Sequence, residues 1–146
     1  MIAIGHLLDI YSPCEFLTRQ ASKEPIVSHA TEALPIEVRQ GELITRYAEW
    51  GDMAVRHASV PAGTDFAPVL VGLPGDRCPS PHWGIILEGS IHIEHADGSR
   101  ETARAGELYH WPAGHTAWTD EAVVFVEFGP VAPMRQFSQH AQSVVG

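Results

Sequence analysis

The sequence predicts an all-β domain, a sandwich or barrel of short antiparallel strands. Three observations predict it. Thirteen glycines and eleven prolines in 146 residues call for frequent chain reversals. From about Gly41 to Pro130, runs rich in β-branched and aromatic residues alternate with turn signals at near-regular spacing. Between those runs no helical apolar period develops. Hydrophobic residues make up 45% of the chain and charged residues only 18%, which suits one ordered domain with a real core.

Taken in order, residues 1–40 are heterogeneous. They read as an extension packing on the main domain or on a partner subunit, with residues 7–11 a short helix or strand. Residues 42–47 form the first β-rich run. Residues 53–60 alternate loosely and stop at Pro61-Ala62-Gly63. Residues 66–71 read as a further strand, followed by a Gly/Pro-rich loop over 72–81 and the run 82–87. Glu88-Gly89-Ser90 is a turn, and residues 91–95 alternate with period two. Asp97-Gly98 is a strong hairpin signal. Gly89, Gly98 and Gly106 are turn glycines expected at positive φ. Short strands follow at 100–104, 107–111 and 115–118, and residues 123–128 close the series. After Pro133 the tail forms one or two helical turns or frays. The expected organisation is an N-terminal extension over 1–40, a barrel over 41–130 and a C-terminal tail over 131–146.

The formal net charge of −9 is scattered rather than blocked. A field of that sign repels phosphate backbones and argues against a nucleic-acid partner, while leaving a small-molecule ligand open. No apolar stretch is long enough to span a bilayer, and the first residues lack the basic region of a signal peptide. A cytoplasmic chain with reduced cysteines is expected, Cys14 and Cys78 making at most one bridge.

Nine histidines is a high count for this length. His6, His29 and His140 lie in the flanks, and His57, His92 and His95 have no partner spacing, so these six read as ordinary structural rings. His82, His110 and His115 stand apart. Cys78 precedes His82 by four residues, which in extended chain puts both on one face, together with Gly84, Ile86 and Glu88. A thiolate and an imidazole on one face, joined by His115 from a neighbouring strand, supply three ligands for Zn²⁺, Cu or Fe²⁺. The alternative reading has Cys78 as a small buried hydrophobe and His82 bonded to backbone. Trp83, Ile86, Tyr109, Trp111 and Trp118 are the candidate lining of a ligand pocket. No Gly-x-Ser-x-Gly elbow and no phosphate-cradling glycine loop is present.

Residues 75–89, containing Cys78-Pro79-Ser80-Pro81-His82-Trp83-Gly84, resemble the first motif of the cupins. Residues 106–115, with Gly106, Pro112 and Gly114 in register, resemble the second. The similarity covers roughly residues 47–130, and in detail it is to a group of small bacterial cupins of undefined function. The resemblance implies a double-stranded β-helix, or jelly-roll barrel, with a small-molecule pocket inside and frequent pairing into homodimers. It also implies a departure. His82 falls where cupins usually place a glutamate ligand, Asp76 and Cys78 fall at the two usual first-motif histidines, and Ala117 falls at the second-motif histidine. The usual metal site is therefore either rebuilt from Cys78, His82 and His115 or lost. Zinc is preferred over iron for such a donor set, because iron would want a further carboxylate from Asp76, Glu88 or Glu127.

Two classes of function follow. One is a metal-dependent enzyme of isomerase, cyclase, lyase or dioxygenase type, with His110 or Glu127 as the acid/base group. The other is a ligand-binding or sensing module, or a dimeric scaffold, without turnover.

Overall fold

In a computed structural model of the chain, residues 28–145 are described. The expectations for residues 7–11, Cys14 and His6 lie outside them. Nine strands form: β1 Ile36–Gln40, β2 Leu43–Trp50, β3 Met53–Val60, β4 His82–Glu88, β5 Ser90–Glu94, β6 Arg100–Arg104, β7 Leu108–Trp111, β8 Thr116–Trp118 and β9 Val123–Pro130. A six-stranded sheet runs β1-β2-β3-β9-β4-β7, and a three-stranded sheet runs β6-β5-β8. Every pairing is antiparallel. Alternate residues of each strand point between the sheets. Ala58, Val60, Ile86, Trp111 and Phe125 from the larger sheet thus meet Ile91, Ile93, Ala103 and Ala117 from the smaller in one core.

Most strands lie where the apolar alternation puts them, and three features differ. The sheet begins at Ile36, so its first strand falls inside the region read as an extension. Residues 66–71 form no strand: Pro68 in the first turn favours one helical turn, α1, Ala67–Leu70. The tail is one 15-residue helix, α2, Val131–Val145. Met134, Phe137, Ser138, Ala141, Val144 and Val145 recur at helical spacing, and this face turns toward the barrel. Arg135 binds Glu49 (2.6 and 2.8 Å), and Gln142 donates to the Glu37 carbonyl at 3.1 Å, so α2 is tied to β1 and β2.

The β4–β5 turn needs a glycine. Gly89 has φ 72°, and a Cβ there would collide with the Ala122 carbonyl oxygen.

Candidate metal centre and cavity

Cys78 and His115 are brought side by side by backbone pairing before β4 and β8 begin. The Cys78 N–H donates to the His115 carbonyl at 2.9 Å, and the Gly114 N–H donates to the Cys78 carbonyl at 2.7 Å. Pro79-Ser80-Pro81 then leads into β4, whose first residue, His82, points inward in phase with Gly84 and Ile86. The Cys78 Sγ lies 3.3 Å from His82 Nε2, and the imidazoles of His82 and His115 meet edge to face at 5.0 Å between ring centres. All three side chains are buried, and one donor atom from each lies within 4.8 Å of the others.

The chemistry of this set fits a tetrahedral metal. His115 Nδ1 sits 2.7 Å from the Pro112 carbonyl, which can only accept, so Nδ1 carries the proton and Nε2 keeps its lone pair. His82 Nδ1 is buried without a hydrogen-bond partner among the described residues, and Glu127 Oε1 stands 3.8 Å from it. The carbonyl behind His115 is the outer support that orients a metal-bound histidine, whereas the Glu127 carboxylate faces His82 from beyond hydrogen-bond distance. The 3.3 Å between Cys78 Sγ and His82 Nε2 is already close to the donor spacing of a tetrahedral site, which the bond lengths of about 2.0–2.3 Å for such ligands imply. Burial pushes the Cys78 thiol up to about 12 and the His82 imidazole down to about 4. His115 is likewise lowered by burial. The histidines are thus neutral and ready to ligate at neutral pH, while the thiol ligates only by losing its proton.

Behind the cluster lies a buried ionic row. Arg56 of β3, Glu127 of β9, Gly84 of β4 and Tyr109 of β7 stand abreast in the sheet register. Arg56 donates from Nη1 to Glu127 at 2.9 Å. Its Nε and Nη2 each donate to Glu37 at 2.8 Å, a two-pronged pair with β1. Tyr109 reaches across the sheet to Glu127 Oε2 at 3.2 Å. That reach requires the missing side chain of Gly84, where a Cβ would sit 2.5 Å from the tyrosine hydroxyl. Burial alone would raise the Glu127 carboxyl, yet the charges beside it hold it below its ordinary range: His82 when protonated and Arg56 at all pH. For Glu37, too, Arg56 outweighs burial and lowers the carboxyl.

Cys78, His82 and His115 open onto a cavity of about 340 Å³, at the small end of ligand pockets. Of the five candidate lining residues, only Trp111 borders it. Ile86 is fully buried in the core between the sheets, and Tyr109 is stacked against Trp111 at 3.7 Å and bound to Glu127.

Trp83, Trp118 and His110, expected at the site, lie outside the cavity lining. With His82 and Gly84 inward, Trp83 must point out. With Tyr109 and Trp111 inward, so must His110, and the two stack on the outer face at 4.8 Å. Trp118 likewise turns out beside the inward Ala117, stacking on His92 at 5.3 Å. Sequence proximity to the motifs had grouped these residues, whereas strand parity divides them. Asp76 and Glu88 are exposed, which leaves Glu127 as the only carboxylate of that trio beside the cluster.

Sequence reasoning missed Arg56, Glu37 and the α2 wall. A signal for Arg56 was present: it shares a face with Ala54, Ala58 and Val60.

No protein-family model and no curated protein matches the chain. Solved structures do. An RmlC-like cupin from Shewanella frigidimarina is 16% identical, with TM-score 0.52, over 75% of this chain and 93% of that one. A conserved protein with a double-stranded β-helix domain from Klebsiella pneumoniae is 17% identical, with TM-score 0.52, over 73% and 90%. An oxalate decarboxylase from Lactobacillus farciminis, in a formate complex, is 16% identical, with TM-score 0.52, over 73% of this chain and 34% of that one. At such identities the likeness is one of fold, and the two facing antiparallel sheets agree with it: the chain has the cupin fold, a double-stranded β-helix.

Proposed function

We propose that the barrel holds one divalent metal ion through Cys78, His82 and His115 and binds a small organic molecule in the cavity those residues border. The observation that carries this reading is the convergence of three buried donors on one cavity, with the lone pair of His115 Nε2 fixed by the Pro112 carbonyl. Zinc suits one sulfur and two nitrogen donors better than iron does. A bound zinc ion would supply Lewis-acid polarisation of a ligand oxygen. The protein's own groups orient and enclose: Glu127 stands behind His82, Arg56 fixes Glu127, and Trp111 walls the cavity.

Capture without turnover is the second reading, and the state of Glu127 favours it. Both of its oxygens accept hydrogen bonds, from Arg56 and Tyr109, which makes it a poor general base. We further propose that the chain pairs as a homodimer. Trp83, Leu108 and Phe128 leave apolar surface on the outer face of the larger sheet, and this supports it.

Elemental analysis of the chain purified without a metal-affinity tag tests the first proposal. About one zinc per chain is expected, falling to trace in His82→Ala. Trace metal in the parent chain, with no uptake on dialysis against zinc, contradicts it.

A further inference from the structure

The lining of the cavity narrows the kind of molecule it takes. One end is polar, formed by the metal-site residues, Arg56 and Glu127. The rest is mostly hydrocarbon: Leu43, Phe66, Val69, Phe125, Phe137 and Ala141 line it, the last two from α2, with Gln40, Thr45, Thr64 and Thr116 as neutral polar groups among them. Charge decides which polar group is matched to that end. Arg56 is the only lysine or arginine on the lining among the described residues, and its bonds to Glu37 and Glu127 leave it no charge to offer. Asp65 adds an exposed carboxylate to the same lining. Histidines ligate metal as neutral rings and cysteine as a thiolate. Three carboxylates (Glu37, Glu127 and Asp65) and one thiolate then stand against one guanidinium and a divalent ion, which leaves the lining one negative charge in excess. A ligand anion would bring a negative charge without a partner into a buried, mostly apolar space, a costly placement.

We propose that the molecule bound here is uncharged and amphiphilic. A single neutral oxygen, a carbonyl or hydroxyl, sits at the Cys78–His82–His115 end, and its hydrocarbon part packs along Phe66, Val69, Phe125 and Phe137 toward α2. The polar half of this assignment rests on the metal reading above; the hydrocarbon half does not. Small dianions such as oxalate are excluded by the same charge balance.

Calorimetric titration of the full chain, zinc-loaded and zinc-free, with 2-hexanone, 2-octanone, octanoate and oxalate tests this. In both forms 2-octanone is expected to bind roughly fifteenfold tighter than 2-hexanone, since each of its two further buried methylenes contributes roughly a fourfold gain. Octanoate is expected to bind at least about tenfold more weakly than 2-octanone, and oxalate not at all. Ala141→Leu fills the hydrocarbon arm and is expected to erase the preference for the longer ketone while leaving zinc stoichiometry unchanged. Val144→Glu, at an exposed position on the same wall, weakens 2-octanone without risk to the core. Octanoate or oxalate binding as tightly as 2-octanone overturns the proposal, as does an affinity indifferent to chain length. A chain that takes up no zinc yet keeps the length dependence defeats the metal reading alone.

Discussion

At the scale of single residues, the cluster depends on parity. Cys78 and His82 are four apart and share a face, and His115 meets them because backbone bonds align it with Cys78. Burial lowers His82 to about 4 from an ordinary 6.5, so in the metal-free chain the unfolded state binds the extra proton between those values. Stability therefore rises with pH across that window and is lost as pH falls through it. The shift is worth roughly 3 kcal/mol. Urea denaturation of the metal-free chain at pH 6.5 and pH 4.5 checks this, and His82→Asn is expected to flatten the dependence. An equally steep loss in the variant would assign it to other groups. The cluster itself was legible in the sequence, since period-two alternation is local information. The outward turn of Trp83, His110 and Trp118 follows from the same rule applied strictly.

At the scale of elements, β3, β9, β4 and β7 carry one polar row through the middle of the larger sheet. Arg56 pairs with two buried carboxylates there, and removing one member of a buried ionic set costs more than the set contributes. Arg56→Met is expected to lose about 3–5 kcal/mol at pH 7 by chemical denaturation. Its deficit should shrink at pH 5, because Glu37 and Glu127, no longer held low, take up protons in the variant. A loss below about 1 kcal/mol would mean the row is not buried as described. This row was only half legible: Glu127 stood out as a polar residue in an apolar strand, whereas the partnership with Arg56 spans 71 positions of sequence and appears only once strands pair. Helix α2 is longer than its sequence suggests because seven polar residues over 135–143 interrupt the spacing of Phe137, Ala141 and Val145. The single turn α1 was mistaken for a strand because Val69, Leu70 and Val71 favour either state when read locally.

At the scale of the whole molecule, two unequal antiparallel sheets enclose a core and a cavity that share Ala58, Ile91, Trp111, Ala117 and Phe125, with α2 as an added wall. The fold class was readable from turn spacing and strand count. The contribution of α2 to the cavity was not, because it depends on where a helix docks rather than on what it contains. The outer apolar face leads to a further expectation, a solution mass near twice 15.9 kDa for the parent chain. Leu108→Glu should halve that mass; a parent chain that is already monomeric contradicts the pairing.

A thiolate and two imidazoles sharing one ion form the centre of the proposed site. The absorption spectrum of the chain loaded with cobalt(II) in place of zinc reads this directly. A near-ultraviolet thiolate-to-cobalt charge-transfer band with intense visible bands of four-coordinate cobalt is predicted, saturating at one equivalent, releasing one proton from Cys78, and losing the charge-transfer band in Cys78→Ser. Weak octahedral bands, or a spectrum unchanged by that substitution, would contradict it.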